Sequence, residues 1–83
     1  MNVEFLKNLL LPIIKEKKLF SVDVVTVEET NKIKVSLHVS NSDIKKIIGY
    51  GGRVYRSVRT LLRYKFQNAS LELLVNIANK KVL

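Results

Sequence analysis

Ile47-Ile48-Gly49-Tyr50-Gly51-Gly52-Arg53 places all three glycines of the chain within four residues, between two stretches of helical spacing. Glycines here permit backbone conformations closed to other residues and let a ligand backbone approach without meeting a β-carbon. Upstream, Ser40-Asn41-Ser42-Asp43 opens a helix over about 41–48, with Ser40 at the N-cap and Asp43 three residues on, as in a capping box. Ile44, Ile47 and Ile48 share one side of it and Lys45 and Lys46 the other, and Gly49 ends it in the manner of a C′ glycine. Downstream, a second helix runs from Arg53 to about Phe66. Val54, Val58, Leu61 and Leu62 gather on one face, with Tyr55 at its edge, and Arg53, Arg56, Arg59 and Arg63 lie roughly opposite. The loop thus sits at a helix N-terminus, where free N–H groups and the dipole favour a phosphate. Lys45 and Lys46 stand before it, Arg53 and Arg56 after it. The plain alternative is a glycine-rich corner between two packed helices.

Working outward, residues 33–40 (Ile-Lys-Val-Ser-Leu-His-Val-Ser) alternate apolar and polar without a break, which predicts a strand with one buried face. Before it, residues 20–29 are rich in β-branched side chains, and Glu28–Lys32 is polar and turn-prone, so the two strands form a hairpin. His38 falls on the polar face and is expected to face solvent. Residues 71–77 (Leu-Glu-Leu-Leu-Val-Asn-Ile) form a last strand, and 78–83 a frayed tail. At the N-terminus, Val3, Phe5, Leu6, Leu9, Leu10, Ile13 and Ile14 follow helical spacing over about 3–18, with Asn2 placed to cap the start and Pro12 bending or breaking the helix. The order helix-strand-strand-helix-helix-strand predicts an α+β fold: a three-stranded mixed sheet, with the last two strands parallel and three helices on one face. The 83 residues make one domain, with a core at about 20–77 and the N-terminal helix at 3–18.

Composition narrows the function. Fifteen Lys and Arg against seven Asp and Glu give a formal charge of +8, which favours polyanions, nucleic acid first and an anionic membrane surface second. With no cysteine there is no disulfide, thiolate metal site or thiol nucleophile. The single histidine has no evident metal partners, the acidic residues form no catalytic pair, and no Gly-x-x-x-x-Gly-Lys-Ser/Thr loop is present. No enzyme, cofactor or metal is expected. The apolar run 9–14 is far shorter than the roughly 20 residues of a membrane span. It also has no signal-peptide cleavage pattern, so a cytoplasmic location without membrane insertion is expected.

Residues 47–53 resemble the Ile-Ile-Gly-x-x-Gly-Arg signature of KH domains, and the element order looks like the type II, bacterial arrangement. Nearly the whole chain resembles the small bacterial single-KH proteins of the KhpA family. The resemblance implies a non-catalytic protein that binds single-stranded RNA in bacterial RNA metabolism or regulation. It would clamp the RNA backbone on the glycine loop while bases cross an apolar groove. Carried onto this chain, the site is Gly49, Tyr50, Gly51, Gly52 and Arg53, with cations from Lys45, Lys46 and Arg56 and groove surface from Ile44 and Ile48. Each isoleucine is equally a candidate for the core. The family commonly has lysine where Tyr50 stands, so phosphate contact here leans on Lys46 and Arg53. It usually has an aliphatic residue where Tyr55 stands, read here as core or groove lining with its hydroxyl toward solvent. Partners implied are single-stranded RNA and either a larger KH-containing protein of the KhpB (Jag) family or a second copy of the chain. The alternative is a protein-interaction module in which RNA, or single-stranded DNA, is incidental.

Overall fold

β2 (Lys32–Val39) is the axis of the structure: Ile33, Val35, Leu37 and Val39 are buried, and the residues between them are half-exposed. The computed structural model describes residues 3–78 apart from the Tyr50 side chain, so the expected cap at Asn2, the expected role of that side chain and all but the first residue of the expected tail lie outside what is described. β1 (Ser21–Val27) pairs antiparallel with β2, Val24 opposite Val35. β3 (Ser70–Ile77) pairs parallel with β2, Leu73 opposite Val35, which gives the order β1-β2-β3. The hairpin closes through a 3₁₀ turn at Glu28–Thr30 and Asn31 in the left-handed region, φ 52°. Asparagine tolerates that conformation better than most residues. The Asn31 side chain and carbonyl also bind the chain entering β3, at Asn68 and Ser70.

Three helices cover the buried face of the sheet: α1 (Glu4–Leu10), α2 (Asn41–Ile48) and α3 (Arg53–Lys65). They contribute Leu6, Leu10, Ile47, Val58 and Leu62 to a core completed by Ile14, the β2 residues and Leu73. The result is the expected α+β arrangement with a mixed sheet.

The N-terminal segment departs from the expected helix at 3–18. The α-helix ends at Leu10, Pro12 lies in a single 3₁₀ turn at Leu11–Ile13, and Ile14 is extended with ψ 124°. Proline has no N–H for the i−4 carbonyl, and its ring crowds that carbonyl, so the helix is not resumed. A second short 3₁₀ turn, Lys17–Leu19, leads into β1. The shortened α1 leaves part of α3 uncovered. Leu61, expected on the apolar face of α3, is exposed, and with Leu9 it lines an open trough of about 640 Å³ between the two helices. His38 does lie on the outer face of β2, but it is half-buried, with Nε2 2.9 Å from Asp23 Oδ2, rather than free in solvent.

Candidate nucleic-acid interface

α2 ends because the chain turns too closely to carry a side chain. The Gly49 N–H donates to the Lys45 carbonyl at 2.8 Å, and a Cβ on Gly49 would lie 2.2 Å from that same oxygen. Gly49 itself is extended, φ −80° and ψ −170°, so it is required by close approach and not by the left-handed conformation usual at C′. Gly49→Ala should therefore cost about 1–3 kcal/mol, the usual range for forcing atoms into a packed site. A urea titration checks this, and an unchanged midpoint would refute it.

The next three residues, Tyr50–Gly52, form a tight 3₁₀ turn closed by a 2.9 Å bond from the Gly52 N–H to the Gly49 carbonyl. Gly51 and Gly52 both have φ 71°, a region that costs an ordinary L-residue about 1–2 kcal/mol. Gly52 is the N-cap of α3, and no side chain caps that end. The first-turn amides of a helix lack intrahelical acceptors, so here they stand open at the loop. A Cβ built on Gly51 would meet only Arg56 Nη2, at 4.0 Å, so the Arg56 guanidinium stands beside the turn. Arg53 opens α3 and is exposed, as is Lys45 on the other side of the turn.

The expected site residues divide on inspection. Ile47 is fully buried core, Ile44 is half-buried against that core, and Ile48, beside Gly49, is 51% exposed. The apolar surface next to the loop therefore belongs to Ile48 first and Ile44 second. Lys46 does not reach toward the loop: its Nζ donates to the Ile13 carbonyl at 3.2 Å and lies 3.5 Å from Asp43 Oδ1. The Tyr55 hydroxyl, expected to reach solvent, instead donates to the Leu73 carbonyl of β3 at 3.1 Å. This bond ties α3 to the sheet immediately behind the loop.

Asp43 is the residue that the sequence reading undervalued. Ser40 Oγ accepts from the Asp43 N–H at 3.1 Å, as a capping box requires. The Asp43 carboxylate, however, does not turn back to the Ser40 amide. It is fully buried and accepts from the Lys15 and Glu16 N–H groups, both at 2.9 Å, and from Ser40 Oγ at 2.9 Å. Burial pushes the Asp43 carboxyl up. The Glu16 and Lys15 amides, Ser40 and Lys46 outweigh it and hold the pKa down at about 2. The carboxylate thus fastens the extended segment after α1 onto the N-terminus of the helix that leads to the loop. Nothing in the local pattern signals this, because its partners lie 27 and 28 residues away.

Among the described residues no group of three His, Cys, Asp or Glu could hold a metal ion, and no helix is long and apolar enough to cross a membrane. An α-β-β-α-α-β chain on a mixed sheet, with a glycine turn joining the two helices before the last strand, has the architecture of a KH domain. The family model of the KhpA/KhpB KH domain matches residues 3–77, and the chain belongs to that family. No curated protein matches it. KH domains are non-enzymatic folds that bind nucleic acid.

Proposed function

We propose that this chain is a non-catalytic, cytoplasmic protein of bacterial RNA metabolism, its 83 residues acting as one KH domain that holds single-stranded RNA at the Gly49–Gly52 turn. The observation that carries the reading is the pairing of two left-handed glycines with the Arg56 guanidinium beside them, at the uncapped N-terminus of α3. The glycines admit the sugar-phosphate chain, the amides of the turn and of α3 meet its oxygens, and Arg53, Arg56 and Lys45 supply charge. Ile48 and Ile44 offer the apolar surface for a base. Lys46 adds positive potential while its ammonium group holds the neighbouring segment. Single strands are favoured over duplex because KH grooves read unstacked bases.

A labelled ten-nucleotide RNA without self-complementarity should bind at least about tenfold tighter as a single strand than when annealed to its complement. For a four-nucleotide strand, which fits the loop alone, the slope of log affinity against log salt should be about −2 to −3 for three or four neutralised phosphates. A preference for the duplex, or no salt dependence, would overturn the reading.

A second reading, a surface for a KhpB-type partner or a second copy, draws on the exposed Leu9, Ile13 and Leu61 along the α1/α3 trough. Gel filtration with and without nuclease separates the two: an assembly that survives nuclease treatment is held by protein contacts.

A further inference from the structure

All four arginines of the chain lie on α3, and the loop site uses only Arg53 and Arg56. Arg59 and Arg63 continue the stripe beyond Arg56, at three and seven residues further along the helix. With Gln67 and Ser70 they line a recess of about 260 Å³ where the end of α3 meets the start of β3, with Phe66 and Leu71 completing it. Among the described residues the ion pairs of the acidic groups go to Lys7, Lys32, Lys46 and His38, and none to an arginine. α3 carries no acidic residue at all. Two unpaired guanidinium groups one turn apart, beside a hydroxyl and an amide, match the planar, many-donor chemistry that recognises phosphate.

We infer that Arg59 and Arg63 form a second phosphate-binding subsite, so that a bound strand runs from the glycine turn along α3 to the recess at Ser70. This rests on the loop reading above and extends it, for it assigns the chain a ligand longer than the loop alone can hold. Arg56 and Arg63 are seven residues apart, or about 10 Å along the axis at about 1.5 Å per residue. A stacked strand sets its phosphates about 3.4 Å apart and an unstacked one farther, so that span holds at most about three further phosphates. Arginine suits the role better than lysine because its fork holds two oxygens of one phosphate at fixed geometry.

The test is the double variant Arg59→Gln/Arg63→Gln, titrated with labelled single-stranded RNA of four and of ten nucleotides. The four-mer occupies the loop alone. Its affinity should change less than about threefold at 0.15 M salt, where charges farther than about 8 Å are largely screened. The ten-mer should weaken about 10-fold, and its salt slope should fall in magnitude by about 1.4, two phosphates at about 0.7 each. Circular dichroism confirms the fold, and Arg59→Lys/Arg63→Lys should recover the salt slope but only part of the affinity. Equal losses for both lengths would reduce the two arginines to general electrostatics and overturn the subsite, as would no loss for either. If the unmodified protein bound neither RNA, the loop reading itself would fail, and the subsite with it.

Discussion

Asp43→Ala is expected to lower the unfolding free energy by about 3 kcal/mol, in the range seen when a buried charged hydrogen-bond partner is removed. The carboxylate has no access to solvent and receives two backbone amides from Lys15 and Glu16, a hydroxyl from Ser40 and the Lys46 ammonium nearby. Alanine leaves the two amides without their acceptor and a void between α2 and the segment after α1. A domain of this size has about 4–12 kcal/mol of stability in total. The loss should therefore lower the melting temperature by at least about 12 °C, at about 4–8 °C per kcal/mol for a small domain. The acid limb adds an independent check. A carboxyl whose folded pKa is depressed stabilises the fold above its unfolded pKa, and that contribution disappears as pH falls through the folded value. With Asp43 moved from 3.8 to about 2, it is complete above about pH 5 and fades toward pH 2. Its size is about 2 kcal/mol at about 1.36 kcal/mol per pKa unit. The parent should lose that much more than Asp43→Asn between pH 5 and 2 in urea titrations. Parallel curves, or an alanine variant within 1 kcal/mol of the parent, would mean that the network does not hold the segment.

The contrast between Asp43 and the glycine turn shows what kind of information a linear pattern carries. The turn was legible because its constraint is local: Gly51 and Gly52 need φ 71°, and Gly49 must clear a carbonyl four residues back. β2 was legible because alternation at 33–39 maps directly onto one buried face. Asp43 has the same local appearance as any helix-capping aspartate, and what sets it apart is two amides on a segment that only the tertiary fold brings near. Lys46 and Leu61 went astray for a related reason. Both depend on where α1 stops. Pro12 was visible as a break, but the extended Ile14 that follows decides which carbonyl Lys46 reaches and how much of α3 stays bare. Tyr55 likewise finds its partner on β3, 18 residues away.

Tyr50→Asp/Gly51→Asp is expected to weaken single-stranded RNA binding at least about 100-fold, about 2.7 kcal/mol, while the protein stays folded. The turn carries no charge of its own, so the change sets two carboxylates on the path proposed for the phosphates. The geometry at Gly51 makes the effect larger than simple repulsion. A side chain there enters open space whose nearest atom is Arg56 Nη2, so the new carboxylate would take the guanidinium that the phosphate needs. The φ of 71° imposes a strain of about 1–2 kcal/mol on a non-glycine residue, with aspartate among the more tolerant. The melting temperature should drop by several degrees without loss of the native circular dichroism. Gly51→Asn separates strain from charge, because asparagine has nearly the same shape and the same tolerance of this region. It should keep binding within about fivefold, the cost of a side chain in the path without the loss of Arg56 to a carboxylate. If Gly51→Asn weakened binding as much as the double aspartate variant, the turn would act through its shape alone and Arg56 would have no part in holding phosphate. If neither variant weakened it, the nucleic acid would lie on another face of the protein.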